Sequence, residues 1–272
     1  MRKHSPLFYQ WKGRILHSGI HIFSHIRLLV RWVFYSVLMG CVMGLIGVAF
    51  VYAIQYATAW RKNFPWLLAL LPVGGLLIVW LYRITKDQND RGTNMVLASI
   101  RSEARLPVQM APLIFISTVV THLCGGSAGR EGAALQLGGS IGSMFGRLFR
   151  MQERDKHVMI LCGMSAAFSA IFRTPIAAPV FAMEVVCVGA MHYPALVPST
   201  IASLTASWLA GKLGIPLAKF SVQEIPPLQI VPSLKILLLG VLCAGVSVLF
   251  CILLHQTEKQ LHSRVQNPYL RI

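Results

Sequence analysis

Long apolar runs separated by short clusters of charge, glycine and proline set the rhythm of this chain. Before the first run, His17, His21 and His25 recur at every fourth position beside Arg14, while Ile15, Ile22, Ile26 and Leu29 fall mostly on the other side. This spacing predicts an interfacial amphipathic helix over residues 14–33. A histidine face could also bind metal, but nothing upstream or downstream completes a ligand set. Residues 33–59 predict a first spanning helix, with Gly40, Gly44 and Gly47 as a small-residue stripe for close helix packing and Arg61 and Lys62 closing it. Phe64 to Leu81 predicts a second span, its middle loosened by Pro72, Gly74 and Gly75, before a polar loop from Arg83 to Arg91.

The next segment, RGTNMVLASI at 91–100, is too short to cross a hydrocarbon core of about 30 Å, which needs roughly 20 helical residues. It reads equally as a re-entrant helix opening at Gly92 or as a loop helix. Pro107 to Cys124 is a further apolar segment, followed by GGSAGREGAALQLGGSIG at 125–142 and a helix reaching Phe149. Arg147, Arg150, Arg154 and Lys156 mark a polar boundary. Residues 157–172 form a helix rich in Ala and Ser, Arg173 to Pro175 breaks it, and residues 175–190 form another helix carrying Glu184. Pro194 and Pro198 open an apolar run to Lys212. A proline-rich stretch reads as an extramembrane loop, and residues 233–254 form a long apolar helix continuing into a polar tail.

The pattern predicts an all-α integral membrane protein with about seven or eight membrane-penetrating segments, several of them short or broken. It divides into a cytoplasmic N-terminal segment at 1–32, membrane helices at 33–214, the loop at 215–232 and a final helix and tail at 233–272.

Composition agrees. The 272 residues are 55% hydrophobic and only 12% charged, about half the charge fraction of roughly 25% in soluble domains, and the mean hydropathy is +0.62. The net charge of +16 falls in clusters between apolar runs, which is membrane topology signalling and not a nucleic-acid stripe. A multi-pass protein of the cell inner membrane is expected, with membrane lipid around it, no nucleic-acid partner and a cytoplasmic N-terminus. The charges among the first 30 residues leave no uninterrupted apolar core for a signal peptide. Cys41, Cys124, Cys162, Cys187, Cys243 and Cys251 lie in apolar segments without CxxC spacing and read as small hydrophobes. No metal or other cofactor is expected. The glycine-rich centre lacks the GK[ST] ending of a phosphate loop, and Ser165, Ser169 and His157 have no acid at a useful spacing for nucleophilic catalysis.

Glu131 is therefore the residue to explain, an acid among glycines in an apolar sequence. Intramembrane acids are costly and usually functional. If helices open at Gly92 and just before Glu131 and both N-termini face one place, their partial positive charge and unpaired amides suit a partly dehydrated anion. The candidate lining is Gly92, Thr93, Asn94 and Met95 on one side and Gly129, Arg130 and Gly132 on the other. An ionised Glu131 would compete with the anion, and protonation would remove the competitor, so one residue could be gate and proton carrier. The alternative is a structural pair between Glu131 and Arg130, although adjacent helical residues point in different directions.

At these residues the sequence resembles the CLC family of chloride channels and chloride/proton exchangers. GREGAALQLGGSIG, residues 129–142, is similar to the family's GREGP motif and following helix, and the resemblance implies that Glu131 is the external gate. Ala133 stands where the common motif has proline, a change shared with the family's fluoride/proton antiporter branch. LCGMSAAFSAIFRTPIAAPVFAME, residues 161–184, resembles the family's helix pair with a Phe-x-x-Pro break. The likeness covers most of the chain in segment order and is specific over 125–184.

Two departures bear on mechanism. GTNMV, residues 92–96, stands in place of the chloride-lining GSGIP, another mark of the fluoride branch. Val185 follows Glu184 where exchangers carry a second acid as the internal proton acceptor. The resemblance implies anion transport, with chloride as the default ion and fluoride with protons as the alternative. It also implies a side-by-side homodimer through the helices at 175–190 and 195–212. The chain resembles the first repeat plus the helix that begins the second, as in a truncated or split member. A non-transporting remnant that binds partner subunits or lipid is the third reading.

Overall fold

No glycine or proline interrupts the chain between Ile20 and Met39, and a single helix, α1, runs from Pro6 to Asn63. Residues 6–85, 107–186, 189, 191–217 and 229–264 are described in the computed structural model. The 58 residues of α1 extend about 87 Å, well beyond a hydrocarbon core of about 30 Å. Helix α1 runs unbroken through residue 33, where the sequence changes from amphipathic to apolar.

A 3-10 turn, Pro65–Leu70, leads into α2, Leu71–Ile84. Pro72 was expected to loosen a span and instead occupies the first turn of α2, where its missing N–H would have had no intrahelical partner. The chain continues as α3 (Met110–Leu123), α4 (Glu131–Leu148), α5 (Glu153–Phe172), α6 (Ala177–Val186), α7 (Tyr193–Lys212) and α8 (Ile230–Arg264). Every regular element among the described residues is helical. Four helical stretches are long and apolar enough to cross a membrane: Ile26–Asn63, Pro65–Ile84, Glu153–Phe172 and Ile230–Leu261. The segment 91–100, most of the loop at 215–232, and Cys187 lie outside the described residues.

Helix α5 is the centre of the fold because its side chains are small. Ala166, Ala167, Ala170, Ser165 and Ser169 are fully buried, which lets α1, α4, α6 and α7 pack around it. The glycine stripe on α1 behaves as expected. A Cβ at Gly40 would lie 2.6 Å from the Ala202 carbonyl oxygen of α7, and one at Gly47 would lie 2.6 Å from Cβ of Ala170 on α5. Alanines at 195, 202, 206 and 210 form the buried face of α7.

Hydroxyls add polar links between these helices. Ser169 donates to the Ser203 carbonyl at 2.9 Å, and Ser203 donates to the Pro175 carbonyl at 2.8 Å. Arg173 ends α5 in the left-handed region, with φ of 59°, and its guanidinium donates to the Ser207 carbonyl. The break expected at 173–175 is thus also a clamp between α5 and α7. In contrast, α8 is exposed along its apolar length.

Candidate anion site

The site is built from the way α3 stops and α4 starts. Helix α3 closes with Gly125 at φ of 81°; its N–H bonds to the His122 carbonyl at 3.3 Å, and that of Gly126 to Thr121 at 2.8 Å. This pair of bonds and a left-handed glycine satisfy the last carbonyls of a helix and turn the chain sharply. A side chain at Gly125 would strike Leu68 and lie 3.3 Å from the Arg61 guanidinium. Residues 126–130 then lead without regular structure into α4.

Helix α4 begins at Glu131, with Arg130 as its cap. Ala134 makes the first intrahelical bond, to the Arg130 carbonyl at 2.9 Å, so the amides of Glu131, Gly132 and Ala133 belong to the helix start, where partial positive charge collects. The Glu131 side chain is exposed and folds back over its own helix start. A Cβ placed on Gly129 would lie 2.7 Å from Oε2 of Glu131. Glycine at 129 therefore leaves the space that this carboxylate uses. No ion pair joins Glu131 to Arg130 among the described residues, so the structural pairing weighed from the sequence finds no support there.

Such a helix start can hold its own carboxylate or an external anion in the same field. Gly129, Arg130, Glu131 and Gly132 are brought together by adjacency at one helix terminus. Gly92, Thr93, Asn94 and Met95 lie outside the described residues. The chain re-enters the described structure at Pro107, whose carbonyl accepts a 3.0 Å bond from Ser140 on α4. Pro107 is thus anchored to the helix that carries Glu131.

The partners of Arg61, Ser140 and the α4 glycines were not legible in the sequence. Arg61 was read only as the end of a span, yet it leans on Gly125 at the approach to α4. Ser140 was read only as part of the stretch at 125–142. Glycines at 138 and 142 set α4 directly against α5, with a Cβ at Gly142 falling 2.6 Å from the Met159 carbonyl oxygen; their fourfold spacing, continued at Gly146, was the available signal. The other acid of interest, Glu184, has a local task, accepting the Gly189 N–H at 3.0 Å. No cluster of three or more His, Cys, Asp or Glu side chains suited to metal occurs among the described residues.

Comparison with known proteins gives this geometry a family. Residues 74–272 match the profile described as voltage gated chloride channel. A "chloride/fluoride channel protein" of Pseudomonas syringae pv. tomato is 31% identical over 229 residues, covering 84% of this chain and 51% of the relative. The "H(+)/Cl(-) exchange transporter ClcA" of Citrobacter koseri is 31% identical over 165 residues, covering 55% of this chain and 35% of the relative. Among solved structures, a CLC-type fluoride/proton antiporter superposes with a TM-score of 0.84 at 32% identity, over 89% of this chain and 62% of that one. A slow cyanobacterial Cl-/H+ antiporter shares the fold, with a TM-score of 0.75 at 19% identity, over 89% of this chain and 61% of that one. The chain spans about half the length of its Pseudomonas relative. With an all-helical membrane fold and an acid at the start of α4, the chain belongs to the voltage-gated chloride channel, or CLC, family.

Proposed function

We propose that this chain forms part of a membrane transporter for a small halide, with fluoride as the ion, protons as the exchanged partner and Glu131 as the gate. The observation that carries the proposal is Glu131 at the first residue of α4, its carboxylate folded over Gly129. Fluoride is favoured by Ala133, by GTNMV at 92–96 and by Val185 after Glu184. It is favoured too by 32% identity to a fluoride/proton antiporter against 19% to a Cl-/H+ antiporter. Chloride is the second reading, supported by the ClcA relatives at 29–31% identity. The inner membrane is the proposed location, with the N-terminus inside.

Efflux from liposomes holding the purified chain tests the ion. Fluoride is expected to leave at least about tenfold faster than chloride, a barrier difference of about 1.4 kcal/mol. Faster chloride efflux would sink the fluoride reading, and no flux of either ion above empty liposomes would support the partner-binding remnant instead.

A second copy of the chain is the proposed partner. Ile176, Val180, Tyr193, Val197, Leu204 and Trp208 are exposed, and those on α7 lie opposite its buried alanines. Fluorescently labelled protein in bilayers is expected to bleach in two steps and Trp208→Arg protein in one. Single-step bleaching of the parent at every protein-to-lipid ratio would rule the dimer out.

A further inference from the structure

The corner between α4 and α5 concentrates charge that the transport reading does not use. Residues 147–156, RLFRMQERDK, place Arg147, Arg150, Arg154 and Lys156 beside two acids, Glu153 and Asp155. Both acids already have cationic partners. Lys156 lies 2.7 Å from Glu153, and Arg31 of α1 lies 3.5 Å from Asp155. Arg27 stands one helical turn before Arg31 and so adds to the same side of α1. Arg150 and Arg154 are exposed and have no carboxylate partner among the described residues.

The backbone at this corner is unusual for the residue it carries. The N–H of Arg150 bonds to the Arg147 carbonyl at 3.0 Å and that of Met151 to Gly146 at 2.9 Å, a helix ending whose left-handed position glycine normally fills. Arg150 occupies it with φ of 49°. A non-glycine residue is disfavoured there, and such strain is a pointer to function.

Just inside the charged layer lies an aromatic one. The Tyr35 ring packs on Phe149 at 4.9 Å, Phe149 on Phe145 at 5.8 Å, and Trp32 on Tyr35 at 6.2 Å. The Arg31 guanidinium sits 5.4 Å from the Tyr35 ring centre. Guanidinium groups outside an aromatic belt, at the end of apolar helices, are the arrangement of a membrane–water interface, and the positive charge assigns this end to the cytoplasmic side. The leaflet there carries anionic lipid.

We propose that the α4–α5 corner, with α1 beside it, binds the phosphate headgroup of an anionic phospholipid of that leaflet, Arg150 and Arg154 being the principal contacts. The site is independent of which ion the protein moves. Its lipid would hold α1 to the α4–α5 corner at the end of α4 remote from Glu131.

Native mass spectrometry of the full chain in detergent, titrated with phosphatidylglycerol or phosphatidylcholine, tests the proposal. Phosphatidylglycerol is expected to bind in preference and to raise the thermal midpoint. Arg150→Gly should weaken phosphatidylglycerol binding about fivefold while leaving the midpoint in detergent alone unchanged or higher, because glycine relieves the left-handed backbone. Adding Arg154→Gln should lower binding by a further factor of about five. Arg61→Gln with Lys62→Gln, at the other end of α1, should leave it unchanged. Equal binding of the two lipids, parental binding by the Arg150→Gly/Arg154→Gln protein, or an equal loss in the Arg61/Lys62 variant would each overturn the site. If the double variant does not fold, Arg150→Gly alone decides, its unperturbed midpoint separating lost binding from lost structure.

Discussion

Replacing Glu131 by Gln is expected to make ion flux through liposomes independent of pH, at a level above the parent's at neutral pH. The sign follows from the helix start. An ionised carboxylate at the first residue of α4 occupies the field that would otherwise receive the transported anion. Protonation removes its charge, so parental flux should rise as pH falls. Glutamine has the same shape and no charge, so the competitor is gone at every pH. An exposed carboxylate at a helix N-terminus is held by about 0.3–1 kcal/mol, which sets the variant's gain over the parent at neutral pH at about twofold to fivefold. Proton movement coupled to the anion should be lost as well. Because Glu131 is exposed, the variant should fold normally. Gly129→Ala is a milder form of the same experiment. Its Cβ would lie 2.7 Å from Oε2 of Glu131, and the flexible carboxylate should move in preference to the helix, giving intermediate flux at neutral pH with the pH response retained. Full parental pH response in the Glu131→Gln protein would remove Glu131 from the gate.

The start of α4 was legible in the sequence because an acid flanked by glycines has few structural uses in an apolar chain, and the apolar runs located most of the described helices. Other features depend on partners that periodicity does not reveal. The break after Phe172 could be read from Arg173 to Pro175, but the clamp could not, since the acceptor carbonyl at Ser207 lies on α7. Hydropathy placed the membrane boundary at residue 33 and said nothing about helix continuity, which is governed by the missing breakers between Ile20 and Met39. Pro72 has one composition-level meaning inside a span and another in a first turn. The 3-10 turn at Pro65–Leu70 decides between them. At Gly138 the small-residue spacing was visible, whereas its meeting with Gly163 appears only once α5 folds back along α4.

That meeting gives the largest stability effect expected in the chain. Gly163→Val should leave little monodisperse protein after size exclusion, with a loss of at least about 3 kcal/mol, at the upper end of ordinary overpacking. A Cβ on Gly163 would run into the carbonyl of Gly138, and one on Gly138 into the carbonyl of Gly163. Backbone meets backbone, so no side chain can rotate away and the helices must separate. Separation would unpack fully buried Met159, Met164 and Ala167 on α5, and a native state stabilised by about 5–15 kcal/mol has little margin for that. Gly240→Val on α8 is the control, since a Cβ there meets nothing within 4 Å, and its thermal midpoint should match the parent's. The contact also reaches the site. Gly138 sits two helical turns after Glu131 on the same helix, so any slide of α4 against α5 displaces the gate. Gly163→Ala protein that folds should therefore show altered flux with no substitution at the anion site itself. A Gly163→Val protein that purifies and melts like its parent would mean that something other than the α4–α5 crossing holds Glu131 in place.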